Sequence, residues 1–497
     1  NPTKGFINSI SHLLSFNTMK TILFVLLQSA LILSCFADRL NPVNPNFNYP
    51  ETNKVNKALA SNFDYEYIHL SIDIPYKGDI WDGYITVNNS TQSKLFYILY
   101  PAEAEHAATV NNTAPLILWL QGGPGCSDGA GNYLEIGPYT VLNQSGRLVP
   151  TQQAVTWNDK YNLLFVDSPV GVGYSVAGDE QPNNAMDTAR YLQIFLIRFF
   201  QLYPSLAKND FYIFGESFAG HYIPALATII VSNSTNNKIN IKGNIIFKYL
   251  ILLGIGVGDG WTDPYTQVGS FADYCFSVGL LDVHQRDLIK NLETEAQTAI
   301  NNGEYVKGAK LFDVITENIT DLNSNVDIYN FEIYDLSENC TFILILNNFL
   351  VPYDDWLELS SVKAAYGVDP NVTYQDCVDS TYDAFLYDIG YSYAQNYTWL
   401  LSQTIIPNFK ILLYSGQNDI ICNTLGSERW IAKLKWSGIP YFETATRVPL
   451  KDSNQNIVGF YKNYQRLSFA IIYDAGHMLP WDQPVGARVM LKQFIGI

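Results

Sequence analysis

Phe211-Tyr212-Ile213-Phe214-Gly215-Glu216-Ser217-Phe218-Ala219-Gly220-His221-Tyr222-Ile223-Pro224 is the stretch that decides the fold of this chain. An apolar run of strand length leads into Gly-x-Ser-x-small and then into a helix, the layout of a nucleophile elbow. Gly215 and Ala219 flank the serine because a strained strand-to-helix turn leaves no room for side chains, and the turn lifts the Ser217 hydroxyl to the carboxyl edge of a sheet. Ala219 stands where the usual pattern has a second glycine. On the motif alone, an ordinary serine in a tight turn is as good a reading as a nucleophile.

Outward from this string, short apolar runs bounded by Gly, Pro and Asn alternate with longer amphipathic stretches. Strands are expected at 95–100, 115–120, 162–166, 211–214, 249–254, 410–414 and 469–473. Between two of them, the stretch 185–202 opens near Asp187, stops at Pro204 and spaces Leu192, Phe195, Leu196 and Phe199 as one helix face. This alternation predicts an α/β fold, a mixed and mostly parallel central sheet with helices on both faces. From Trp261 to about Leu400 polar segments of helical period, such as 283–299 and 305–319, replace the buried-strand runs. The organisation expected is therefore 1–37 as leader, 38–262 as the first part of the core, 263–398 as a largely helical cap insertion, and 399–497 as the second part of the core.

A serine hydroxyl attacks only when a histidine takes its proton, and beyond the leader the chain offers His69, His106, His221, His284 and His477. In an α/β-hydrolase the order along the chain is serine, acid, histidine, which leaves His221, His284 and His477. His221 lies one turn along the elbow helix and is expected to pack or line the cleft, and His284 falls in the polar insertion. His477, in Tyr473-Asp474-Ala475-Gly476-His477-Met478-Leu479-Pro480, follows an apolar run on a glycine-containing loop and is the expected base. Its orienting carboxylate is expected after the preceding strand, where Gly416-Gln417-Asn418-Asp419 supplies Asp419. A turn aspartate is the bland reading of Asp419. Asp474 and Asp482 are rivals, too near His477 in sequence to point at it easily.

Composition narrows the function classes. With 497 residues, 47% apolar, 14% aromatic and 15% charged, the chain can bury a large core and is not disordered. A net charge of −17 repels a phosphate backbone and an anionic membrane, which argues against nucleic acid as a partner. Met19-Lys20, an apolar run over 22–33 and Ser34-Cys35-Phe36-Ala37 read as a secretory signal peptide from Met19 to Ala37, too short to span a bilayer. A secretory-pathway location follows, lysosome, vacuole or the exterior, with no membrane association after cleavage. Glycosylation sequons at Asn88, Asn89, Asn111, Asn143, Asn233, Asn318, Asn339, Asn371 and Asn396 agree with that. Beyond the leader stand Cys126, Cys275, Cys340, Cys377 and Cys422, an odd set that reads as two disulfides and one thiol, and spacing does not say which thiol is left over. There is no His-Glu-x-x-His and no Cys-x-x-Cys, so no metal and no cofactor is expected.

Six ordered blocks carry a family resemblance: Trp119-Leu120-Gln121-Gly122-Gly123-Pro124-Gly125-Cys126-Ser127, the run from Phe165 to Ser175, the serine block, Gly256 to Pro264, the Asp419 block and the His477 block. From about Tyr65 to Ile497 the chain resembles the serine carboxypeptidases, the family of carboxypeptidase Y and cathepsin A. The resemblance implies an α/β-hydrolase core with a helical insertion and the triad Ser217, Asp419 and His477. It also implies an oxyanion hole from the backbone N–H groups of Gly123 and Phe218, and a site for the substrate's terminal carboxylate at Gln121, Gly122, Glu135 and Glu216. By the same resemblance Ala130 and Leu134 line the pocket of the leaving residue. The resemblance further implies that Cys126 pairs with Cys377 and Cys275 with Cys340, which would leave Cys422 either near the substrate or simply as a small buried residue.

The chain departs from the usual pattern at Gln121, where most members have Asn, at Asp128 for Ser, and at Asp259 for Asn. Gln121 and Asp259 are similar to the vitellogenic-like branch, Cys126 and Phe218 to cathepsin A. The function expected is a serine-type exopeptidase that releases C-terminal residues from peptides and proteins at acidic pH through an acyl-enzyme. An acyltransferase using the same triad is the alternative. A non-catalytic scaffold sits poorly with an intact triad, and a lipase or esterase has no use for two acids beside a carboxylate loop. The partners expected are peptides with a free C-terminus, and a homodimer is left open.

Overall fold

The computed structural model describes residues 65–69, 80–103, 112–179, 181–235, 252–334, 352–403 and 408–496. The leader, His106, Cys340, the sequons at Asn111 and Asn339 and the start of the strand expected at 249–254 lie outside them. Among the described residues thirteen strands follow one another: β1 (Tyr65–His69), β2 (Trp81–Asn88), β3 (Ser93–Tyr100), β4 (Leu116–Leu120), β5 (Tyr139–Gln144), β6 (Arg147–Gln152), β7 (Asn162–Val166), β8 (Phe211–Glu216), β9 (Leu252–Gly258), β10 (Lys410–Gly416), β11 (Val448–Lys451), β12 (Ile457–Tyr464) and β13 (Leu467–Ile472). One 11-stranded sheet has the order β1-β2-β3-β7-β4-β8-β9-β10-β13-β12-β11, and β5 with β6 forms a separate hairpin.

The strands β7, β4, β8, β9, β10 and β13 pair in parallel, and the outer strands add antiparallel. Central parallel strands are covered on both faces, which is why they read as unbroken apolar runs. Successive side chains still part to opposite faces. Leu118, Leu164 and Ile213 meet Leu192, Phe195 and Phe199 of the helix Ala185–Leu202 on one face, whereas Trp119, Phe165 and Phe214 meet Trp157, Met490 and Phe494 on the other. That helix is N-capped by Asn184, whose side chain accepts from the Asp187 amide at 2.9 Å.

The expected central strands appear within a few residues of their expected bounds. β9 runs later than expected, to Gly258, because Gly254, Gly256 and Gly258 read as turn residues but lie within the strand. The outer strands β1, β2, β11 and β12 and the hairpin were not foreseen. β12, for example, is half-exposed along most of its length and carries polar residues.

Between β9 and β10 the chain leaves the sheet and forms helices, including Phe271–Ser277, Val283–Asn301 and Tyr305–Leu322. The second of these opens on a capping box, Asp282 accepting from the Gln285 amide at 2.8 Å while Gln285 accepts from the Asp282 amide at 2.9 Å. The insertion is tied back to the loop after β4 by the Cys126–Cys377 disulfide and by two backbone bonds, Ser127 N–H to Asp376 O at 2.6 Å and Val378 N–H to Gly125 O at 3.0 Å. Cys275 is a free, buried thiol on the helix Phe271–Ser277; the partner expected for it, Cys340, is outside the described residues. Among the sequons, Asn89, Asn143, Asn318 and Asn371 are exposed.

Leu118 sits fully buried in β4, flanked by β7 and β8. Leu118→Ala should cost about 2–5 kcal/mol of unfolding free energy. Denaturant unfolding checks this, and a loss within error would mean that β4 is not at the packed centre of the sheet.

Candidate active site

At the carboxyl end of β8 the chain turns through Ser217, whose φ is 61°, directly into the helix Ala219–Thr235. A side chain at Gly215 would put its Cβ 2.0 Å from the Leu120 carbonyl oxygen, so only glycine lets β8 and β4 close beneath the turn. Ser217 is held from the neighbouring strand end: its N–H donates to Gly258 O at 3.0 Å, and its own carbonyl accepts from Gly220 N–H and Trp261 N–H, both at 2.9 Å. Its side chain is half-buried.

Two and three strands further along the sheet, the loops after β10 and β13 bring Asp419 and His477 together. Asp419 Oδ2 lies 2.9 Å from His477 Nδ1, and the Cys422 N–H donates to both Asp419 oxygens at 3.2 Å. Both side chains are buried. Burial favours the neutral imidazole, but the Asp419 carboxylate, joined by Glu216 and Asp327, outweighs it and the His477 pKa is raised. His477 Nε2 is buried without a hydrogen-bond partner, and the structure contains no His477–Ser217 hydrogen bond. Such bonds are often long until substrate tightens the site.

The rival residues have other work. Asp482 Oδ2 accepts from Gly476 N–H at 2.6 Å and from Asn330 Nδ2 at 3.0 Å, so it shapes the histidine loop rather than the ring. Asp474 sits in a turn at φ 53°. His221 is buried on the elbow helix, its ring 4.5 Å from both Phe218 and Tyr393, with Asp388 Oδ2 at 3.7 Å from its Nδ1. His284 is exposed.

Gly122 explains the loop after β4. A Cβ there would stand 2.5 Å from Ser217 Cβ, 2.6 Å from the Phe218 nitrogen and 2.9 Å from Ser217 Oγ. Any side chain would therefore fill the space above the hydroxyl and the Phe218 amide. Among the described residues, neither the Gly123 nor the Phe218 N–H is spent on a turn or loop carbonyl. Gly123 is itself exposed, with φ 103°.

Beside this loop two acids are buried together, Glu135 at 2% exposure and Glu216 at 1%. Gln121 Nε2 donates to Glu216 Oε1 at 2.6 Å, while Gln121 Oε1 accepts from Trp119 Nε1 at 2.8 Å, which fixes the amide's orientation. Both Glu135 oxygens and Glu216 Oε2 are buried without a hydrogen-bond partner, and two acids this close in a dry site repel each other unless one keeps its proton. Burial, then the Glu216 charge, holds Glu135 well above the usual carboxylate range. Burial also pushes Glu216 up to about 7, against the opposing pull of His477, Glu135 and Gln121.

Several contributors had no sequence signal of their own. Asp128 accepts from Gln121 N–H and Val166 N–H, each at 2.7 Å, locking the end of β4 to the end of β7. From the sequence it was only a departure from the family pattern. The insertion supplies Tyr329, whose carbonyl accepts from His477 N–H at 2.7 Å and whose ring stands edge-on to the imidazole at 5.1 Å. Ile328 O accepts from Ile420 and Ile421 N–H at 3.1 and 3.0 Å, so the same segment grips the Asp419 loop. Leu134 is buried in the aromatic core and Ala130 is half-buried. Cys422 is a buried free thiol beside the Asp419–His477 pair, its pKa raised chiefly by burial. Among the described residues Asp419, Cys422 and His477 are the one group of possible metal ligands, their donor atoms within 4.8 Å, and two of the three are already hydrogen-bonded to each other.

The family model described as serine carboxypeptidase matches residues 72–496. A serine carboxypeptidase family member of Dictyostelium discoideum is 34% identical over 417 residues, covering 83% of this chain and 93% of the relative. The venom serine carboxypeptidase of Apis mellifera is 31% identical over 423 residues, covering 83% of each. Among solved structures, the prohormone-processing carboxypeptidase Kex1 of Saccharomyces cerevisiae superposes with a TM-score of 0.72 at 23% identity, over 86% of this chain and 95% of that one, a likeness of fold. An α/β-hydrolase core that turns through Ser217 as it does, carrying the family's motifs over nearly its whole described length, belongs to the serine carboxypeptidase family of hydrolases.

Proposed function

We propose that the protein is an acid carboxypeptidase that releases single C-terminal residues through an acyl-enzyme on Ser217. The observation that carries this reading is the buried Glu135–Glu216 pair beside the glycine loop and the nucleophile. A substrate's terminal carboxylate can be met there by the Gln121 amide, the Gly122 N–H and an acid that keeps its proton, and no neutral ester would need such a site. That anchor lays the last peptide bond across Ser217. His477 Nε2 takes the Ser217 Oγ proton as Oγ bonds to the carbonyl carbon, and Asp419 supports the imidazolium that forms. The negative charge that develops on the carbonyl oxygen falls to the Gly123 and Phe218 amides. His477 then passes its proton to the leaving amine, the amino acid departs, and water repeats the sequence on the acyl-enzyme. The Cys126–Cys377 disulfide supports a place in the oxidising secretory pathway.

The pH dependence has a defined sign. An acid with a raised pKa donates its hydrogen bond below that value and loses it above. Capture of the carboxylate is therefore present at pH 5 and fades as pH rises through the value of about 7 reached by Glu216. Peptide KM should climb over that interval, while hydrolysis of an ester lacking the free carboxylate should persist. Glu135→Gln, whose amide donates at every pH, should flatten the rise in peptide KM; an unchanged profile would remove the acid pair from carboxylate binding.

Amino-acid release from a blocked dipeptide at pH 5 should require a free C-terminus and should vanish in Ser217→Ala. Gly122→Ala should lower kcat by roughly 10²–10³ by blocking the oxyanion position, while the protein stays folded by circular dichroism. Labelling of Ser217 by an organophosphate without any release of amino acid would instead assign the acyl group to an alcohol or amine acceptor.

A further inference from the structure

Asp259 stands immediately after β9, at φ 44°, with 0% exposure. Its N–H donates to Tyr414 O at 2.8 Å, and its Oδ1 accepts from Gly416 N–H at 2.8 Å, both on β10. β9 and β10 are parallel neighbours, so the residues just past their ends converge, and the Asp259 carboxyl comes up against that of Asp419, both at 0% exposure. Its Oδ2 has no donor aimed at it. Two carboxyl groups packed together out of water with no cation between them do not both stay ionised, and an unpartnered buried carboxylate oxygen is costly, so one of the two keeps a proton.

The neighbours say where that proton belongs. Asp419 receives His477 Nδ1 and the Cys422 N–H, the donors a carboxylate needs. Asp259 receives one backbone N–H. Asp419, Glu216, the Tyr274 and Tyr414 hydroxyls and the Cys422 thiol bear on it, none of them a cation, and His477 lies beyond Asp419, bonded to that carboxylate. Burial and the Asp419 charge both push its pKa well above the usual range.

We propose that Asp259 is a neutral carboxylic acid whose Oδ2–H donates to Asp419 and holds that carboxylate aimed at His477, making it a positioning residue for the hydrolase. The inference rests on the triad assigned above. A neutral donor orients Asp419 without cancelling its charge. An ionised Asp259 would set a second negative charge beside the first, repel Asp419 and hold the imidazole protonated, which would disable the base.

The test pairs two variants with an infrared measurement on the intact protein. Asp259→Asn keeps a neutral donor and tolerates the left-handed backbone, so its kcat on an ester substrate should stay within about twofold of the parent. Asp259→Ala loses the donor, and its kcat should fall about tenfold or more with KM little changed. At neutral pH the difference spectrum of parent minus Asp259→Asn should contain the carbonyl stretch of a protonated carboxylic acid. A missing band, an Asp259→Asn variant as impaired as Asp259→Ala, or an Asp259→Ala variant with the parent's kcat would each overturn the proposal. Should Asp259→Ala not fold, the band and the kcat of Asp259→Asn decide it. Full activity in Ser217→Ala would sink the triad reading alone and leave the band in place, so the two failures are distinguishable.

Discussion

The parallel pairing of β4, β8, β9, β10 and β13 is the constraint on which everything else rests. Parallel strands end their carboxyl termini on one edge, so the loops that follow them share a single crevice whatever their distance in sequence. Gln121, Ser217, Asp259, Asp419 and His477 each stand on or just past such an end. The register is tight enough that successive strand ends brace one another. Leu120 pairs with Gly215, Glu216 with Gly258, and Gly258 with Tyr414. The strained serine turn persists because this lattice over-determines it, through the bonds to Gly258, Gly220 and Trp261.

A second theme is the number of acids the edge keeps out of water. Asp128, Glu135, Glu216, Asp259 and Asp419 are all buried, and among the described residues none of them forms a salt bridge with Lys or Arg. Desolvation on that scale is met in two ways. Some carboxylates collect N–H donors, as Asp128 does from Gln121 and Val166. Others keep a proton and become donors themselves. The same physics that makes these groups costly makes them useful, since a buried neutral acid can bind an anion or orient another carboxylate at a pH where a solvated one could do neither.

The insertion belongs to the site as much as the sheet does. Segment 328–330 receives the His477 amide, caps the Asp419 loop and braces Asp482, while residues 376–378 pair with the glycine loop after β4 beside the disulfide. The Asp419 and His477 loops are thus held against each other by a third piece of chain.

The sequence by itself was enough for what is local. A strand running into a serine turn, a histidine on a late loop and an acid after the preceding strand could be ordered by the requirements of the chemistry, and the elements around them by periodicity. The central strands were legible because burial on both faces leaves a continuous apolar run. The outer strands β11 and β12 were not, because β11 is mostly exposed and β12 half-exposed, and both draw their stability from a neighbour rather than from their own composition. Glu135 could be named only through family likeness, and nothing in the chain foretold that Asp128 would tie two strand ends or that Asp259 would meet Asp419. Those facts belong to the tertiary structure, because a carboxyl group's protonation and partners depend on who shares its desolvated space, and that is decided by segments distant in the chain.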